Sequence, residues 1–99
     1  MARKTPVSFS ASAVADLDEI VSYYAAEQSP ETGMRLVGEL VTRAERLYDS
    51  PESGRVVPEF ALEYLREIIY PPFRIVYRCE RKRVRIVRIW RSERLLKLS

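Results

Sequence analysis

Histidine is missing from this 99-residue chain, and there is one cysteine, one tryptophan and three glycines. Without histidine, any proton transfer near neutral pH falls to shifted carboxylates, Lys, Tyr or water. One Cys and no His cannot supply a tetrahedral N/S ligand set, so no zinc site and no cofactor is expected. The lone Cys79 excludes an internal disulfide and fits a reducing cytoplasm. It lies in an alternating apolar stretch and reads as a small core or sheet residue, not as a nucleophile. No apolar run approaches the length of a membrane span. The start, Met1-Ala2-Arg3-Lys4-Thr5-Pro6, carries cations with no apolar stretch behind them, which argues against a signal peptide. Repeats and low-complexity segments are absent too.

What remains is an ordinary globular composition, 46% apolar and 31% charged, of a size for one domain spanning residues 1–99. The net charge of +3 is unevenly placed. Residues 1–50 hold 5 Lys/Arg against 8 Asp/Glu, a net −3, whereas residues 51–99 hold 12 against 6, a net +6. The basic excess is almost all Arg, whose planar fork suits carboxylates and phosphates. An acidic partner or a nucleic acid would match it, as would a merely solvated, charged sheet.

Val7-Ser8-Phe9 alternates and is expected to form a first strand. Ser10 or Ser12 can cap a helix running to about Gln28, with Asp16, Asp18 and Glu19 in its first turns. Val14, Leu17, Ile20, Val21 and Tyr24 give that helix its apolar face. Ser29-Pro30-Glu31 is a stop-and-restart signal, with Pro30 at the first position of a second helix that extends to about Asp49. Leu36, Val37, Leu40, Val41, Ala44 and Leu47 form the second stripe, and so short a break makes the pair an antiparallel hairpin. Ser50-Pro51-Glu52-Ser53-Gly54 is a turn cluster, and residues 55–63 read as an irregular connection. Three β-rich stretches follow, Leu65–Tyr70, Phe73–Glu80 and Val84–Trp90. Links this tight require antiparallel neighbours. In the middle stretch Phe73, Ile75, Tyr77 and Cys79 should face the helices, leaving Arg74, Val76, Arg78 and Glu80 on the charged face. In the last one Val84 and Ile86 have the opposite parity from Val87 and Ile89, which calls for two covered faces or a bulge. The expected fold is α+β, in the order β-α-α-β-β-β, with a helical hairpin on a mostly antiparallel sheet.

Several fragments resemble the ParE/RelE toxin superfamily, and its ParE branch in particular. They are Ala15-Asp16-Leu17-Asp18-Glu19-Ile20, Gly54-Arg55-Val56-Val57-Pro58-Glu59, Leu65-Arg66-Glu67-Ile68, Phe73-Arg74-Ile75-Val76-Tyr77 and Val84-Arg85-Ile86-Val87. The resemblance spans nearly the whole chain and implies the same fold. It also implies a toxin held in a hetero-oligomer with a cognate ParD-like antitoxin, whose acidic, amphipathic tail would suit a basic sheet and the grooves of the helical hairpin.

Two effector mechanisms follow from the resemblance. RelE-like members are ribosome-dependent mRNA endoribonucleases, which need cations on the phosphate and a proton-transferring residue. Arg74 aligns with their phosphate-holding Arg, Arg66 is a candidate second cation, and Glu59 stands where some members keep a base. The terminal acid–base residue is missing: Trp90-Arg91-Ser92-Glu93-Arg94 is followed by neither His nor Tyr through Ser99. ParE-like members act instead by binding DNA gyrase. For such a role Arg66, Arg74, Arg88, Trp90, Arg91 and Arg94, with Leu95, Leu96 and Leu98, combine cationic forks and apolar anchors. The structural alternative assigns Arg66–Glu67 and Arg74 to cross-strand ion pairs, and Trp90 and the leucines to the end of the core. A non-toxic basic binding domain on the same scaffold is the remaining reading.

Overall fold

The computed structural model describes residues 4–91, so the expectations for Ser92, Glu93, Arg94, Leu95, Leu96 and Leu98 lie outside the described residues. Strand β1 (Val7–Phe9) leads into helix α1 (Ala11–Ala26), then α2 (Pro30–Glu45), which tightens into a 3₁₀ turn at Arg46–Tyr48. The sheet half comprises β2 (Arg55–Val56), β3 (Leu65–Tyr70), β4 (Phe73–Cys79) and β5 (Val84–Arg91). These strands form one sheet in the order β1-β5-β4-β3-β2. The expected α+β architecture holds, with the two-residue β2 as an addition inside the stretch expected to be irregular. Sheet pairings are antiparallel except β1 with β5, which is parallel; the helical hairpin carries the chain from β1 at one edge to β2 at the other, and three antiparallel steps return it to β5.

Ser10 is the residue that caps α1, its Oγ accepting from the Ala13 N–H at 3.0 Å. The helix ends at Ala26, short of Gln28, because Gln28 takes a left-handed φ of 60° that no helix can continue. Ala13, Asp16 and Ile20 form its buried stripe, with Leu17 and Tyr24 partly buried, while Val14 and Val21 are exposed. The apolar face is thus rotated from the expected one, and an acid lies in its middle. Asp16 is there to bind the strand edge, not the helix dipole. Helix α2 buries Gly33, Leu36, Leu40 and Ala44. At Gly33 a Cβ would lie 3.0 Å from the Cβ of Tyr24, so glycine sets the close approach of the two helices.

The main core lies between the hairpin and the sheet. Ala13, Ile20, Leu36, Leu40, Ala44 and Leu47 meet Phe73, Ile75, Tyr77, Val84, Ile86 and Ile89 there. A second cluster, Val57, Leu65, Val76 and Trp90 with Val87 against it, covers part of the opposite face. This corrects the expectation of a charged outer face on β4. Arg74 and Val76 are buried, because the chain after β2 folds back over them. The parity conflict in β5 is resolved by both expected devices. The register shifts between Val76↔Arg88 and Tyr77↔Ile86, leaving Val87 as the extra residue. Past this bulge Ile89 returns to the helical side, and Trp90 joins the second cluster. Among the described residues no helix is long and apolar enough to cross a membrane.

Candidate functional site

Two places collect most of the residues singled out in the sequence. The first is the outer face of β3 and β4. Arg74 reaches diagonally across the ladder to Glu67, its Nε donating to Oε1 at 2.6 Å. Its two terminal nitrogens fork onto Glu59, at 2.7 and 2.8 Å. The other oxygen of Glu67 accepts from Arg55 Nε at 2.7 Å. Side-chain exposure is 7% for Arg74, 0% for Glu67 and 33% for Glu59, so the cluster grades from a dry interior to a wet rim. Two guanidiniums and two carboxylates cancel, and both carboxylates have their oxygens satisfied by charge-assisted bonds.

The electrostatics follow from that packing. The hydrogen bonds from Arg74 hold the Glu59 carboxyl down to about 2, against an ordinary 4.5. The bonds to Glu59, with a smaller contribution from Glu67, push Arg74 further above its already high value. A carboxylate with a folded pKa below its unfolded one adds stability that is complete above the unfolded value. That stability is lost as pH falls through the folded value. The window therefore runs from about 4.5 down to about 2. We expect Glu59→Gln to flatten the acid limb of Tm against pH in that window and to lower Tm at neutral pH. Parallel acid limbs for the two proteins would show that the pair contributes no stability.

Arg66 has a different occupation from the one expected. It does not pair with Glu67; its Nε donates to the Glu63 carbonyl and one terminal nitrogen to the Gly54 carbonyl, each at 3.0 Å. Of the cross-strand ion pairs in the structural alternative, Glu67 forms them, with Arg74 and Arg55, whereas Arg66, on the opposite face, turns to backbone carbonyls. Arg66 instead ties down both ends of the connection between β2 and β3.

The second place lies along β5. Pairing with β1 stops at Phe9↔Ile86, and beyond it the α1 side chains close the strand edge. Ser10 Oγ donates to the Val87 carbonyl at 2.9 Å. Asp16 accepts the Ile89 N–H at 2.8 Å and two guanidinium bonds from Arg88, both at 2.9 Å. The same guanidinium lies over the Trp90 ring, 4.5 Å from its centroid. Asp16, Arg88 and Trp90 thus form one stacked unit pinning the bulged strand to α1, and Arg91 lies 5.9 Å from the Phe73 ring. Beside them is an open groove of about 630 Å3, lined by Asp16, Glu19, Ile20, Ser22, Tyr23, Tyr24, Phe73, Ile89, Trp90 and Arg91. Arg94 is outside the described residues.

The structure brings Glu59 and Arg74 together and keeps Arg66 apart. It gathers Arg88, Trp90 and Arg91 at the opposite strand. Sequence reasoning missed Arg55 and the roles of Asp16 and Tyr23. For Asp16 a signal existed, since it occupies the i+3 position from Ala13 and i−4 from Ile20 in a buried stripe.

Comparison with known proteins agrees with this architecture. Residues 7–96 match the family described as ParE toxin of type II toxin-antitoxin system, parDE. The fold is similar to a solved structure of the chromosomal ParDE toxin–antitoxin system from P. aeruginosa, with a TM-score of 0.77 and 26% sequence identity. That similarity covers 91% of this chain and 98% of the other. No curated protein is significantly similar to it in sequence. With a match of that length, and the helical hairpin, sheet order and Arg-rich half all in place, this chain belongs to the ParE toxin family of type II toxin–antitoxin systems.

Proposed function

We propose that this toxin acts by binding DNA gyrase, without a reaction of its own, and that a ParD-like antitoxin silences it. The observation that carries the reading is the state of Arg74. A nuclease of the superfamily would use this cation to hold the scissile phosphate. Here its fork is filled by Glu59 and its Nε by Glu67. A phosphate would have to displace a carboxylate from a bidentate, partly desolvated bond, and would meet a second carboxylate behind it. Glu59, ionised down to about pH 2 and committed to Arg74, is a poor base for a ribose 2′-hydroxyl. The chain has no histidine to replace it.

For the antitoxin, the groove between α1 and β5 is the surface we assign. It offers aromatic anchors, Tyr23 and Tyr24, beside the apolar rings of Phe73 and Trp90. An amphipathic tail can bury apolar side chains there while an acid on it meets Arg91 in the groove lining.

The test is the purified toxin in a gyrase supercoiling and cleavage assay, with translation of a reporter mRNA run in parallel. We expect inhibited supercoiling with accumulated DNA breaks, reversed by the antitoxin, and intact mRNA. Ribosome-dependent mRNA cleavage with gyrase unaffected would overturn the proposal.

A further inference from the structure

At the other end of β4 from Arg74, the β4–β5 hairpin has a charge distribution that the fold does not require. Between residues 78 and 85 there are five cations, Arg78, Arg81, Lys82, Arg83 and Arg85, and a single acid, Glu80. The turn is closed by the Glu80 N–H donating to the Arg83 carbonyl at 2.9 Å, which places Arg81 and Lys82 at its tip. Arg78 and Arg85 are register partners, directly opposite on adjacent strands and on the same face. Like charges in that relation destabilise a sheet. Glu80 offsets only one charge among them: it is bound to Arg83, and Arg78 and Arg85 act on the same carboxylate.

The chemistry of the surroundings decides what this end would bind. A protein interface is anchored by apolar or aromatic groups. Here the Arg78 guanidinium already lies 5.5 Å from the centroid of the exposed Tyr64 ring, and the turn itself, Glu80 to Arg83, carries no apolar side chain. Contact at this end is therefore electrostatic, as with a phosphate backbone. A two-stranded ribbon fits the major groove of B-form DNA, about 12 Å wide, whereas the A-form groove of double-stranded RNA is too narrow. Single-stranded RNA would call for a platform of several stacking rings, and Tyr64, already engaged by Arg78, is a single ring. From Arg78 to the tip is four residues, about 13 Å at about 3.3 Å each, enough to track several phosphates.

We propose that the β4–β5 hairpin end binds the phosphate backbone of duplex DNA, without sequence preference. The surface is distinct from the α1–β5 groove, and the inference does not depend on the gyrase reading.

The experiment is fluorescence anisotropy of the full-length toxin with a labelled, mixed-sequence DNA duplex, titrated across salt concentrations without gyrase or antitoxin. We expect Arg78→Glu with Arg85→Glu to weaken binding roughly 10- to 100-fold at low salt and to reduce the slope of log affinity against log salt by about two. Lys82→Glu, at an exposed tip where it cannot disturb packing, should weaken it several-fold with an unchanged circular dichroism spectrum. Unchanged affinity and slope in both variants would overturn the proposal. So would tighter binding to single-stranded RNA, or equal competition by poly-glutamate at matched charge. A toxin that binds the duplex through this hairpin yet leaves gyrase unaffected keeps this inference and sinks the previous one.

Discussion

Replacing Arg74 with Ala is expected to destabilise this toxin by about 3–5 kcal/mol, the usual cost of breaking a buried ion pair from one side. For a domain of this size that is a fall in Tm of roughly 15–30 °C. The reason is the partner left behind. Glu67 is fully buried, and removing Arg74 strands one of its oxygens in a dry site. Arg55 still binds the other oxygen and moderates the loss, which favours the lower end of the range. The double substitution Arg74→Met with Glu67→Leu removes both charges and should recover most of the stability, because an apolar pair of similar volume has no charge to desolvate. A Tm within a few degrees of the parent protein for Arg74→Ala alone would show that water reaches Glu67. The effect bears on function as well. Loss of toxicity in Arg74→Ala cells can reflect unfolding, so the double variant is the informative one. A gyrase binder that does not use Arg74 directly keeps its activity in the double variant, whereas a nuclease holding phosphate with Arg74 does not.

Gly54→Ala is the second large effect, about 3 kcal/mol by overpacking. Gly54 has no left-handed φ, so its requirement is for space and not for conformational freedom. A Cβ there would lie 2.6 Å from Tyr77 Oη, 2.7 Å from the Glu67 carbonyl oxygen and 2.8 Å from Tyr77 Cε1. Tyr77 is fully buried and Glu67 is held in the ladder between β2 and β4, so neither can retreat cheaply. The Gly54 N–H also donates to Tyr77 Oη at 2.9 Å, linking the turn after the helices to the middle strand. Tyr77→Phe alone should cost about 1–3 kcal/mol by leaving that N–H unpaired. Combined with Gly54→Ala it should relieve only the hydroxyl part of the clash, because the carbonyl oxygen remains. Thermal denaturation of the two single variants and the double one measures this coupling. Full recovery in the double variant would mean that the Glu67 backbone is not the limiting contact.

Much of the architecture was legible in the residues. The Ser29-Pro30 break, the stripes on α2 and the two short links between β-rich stretches are local signals, each written within a dozen positions. They led to the hairpin and the antiparallel strands, and the family resemblance came separately, from matching fragments. The expectation for α1 is partly displaced: Ile20 is buried as expected, but Val14 and Val21 fit a helical period as well as Ala13 and Asp16 do. Only the position of the sheet determines which stripe turns inward.

The candidate site was less legible. Glu59 and Arg74 were both singled out, yet nothing local indicated that they form a fork, since the connection between β2 and β3 has no periodicity to fold mentally. Glu67 makes the cross-strand ion pairs expected there, whereas Arg66 does not, a division that depends on which segment lies across from each face of β3.

By itself, then, the sequence determined the order of elements, the Arg-rich character of the sheet half and the lack of a histidine for proton transfer. These depend on composition and on spacing along one segment at a time. The tertiary structure alone decided that β1 pairs parallel to β5, that Val87 bulges, that Asp16 bonds to a strand residue 73 positions away, and that Arg74 is buried against Glu59 and Glu67. Each of these depends on which distant segments pack together, a choice made by burial and charge pairing across the whole chain that no single stretch of it encodes.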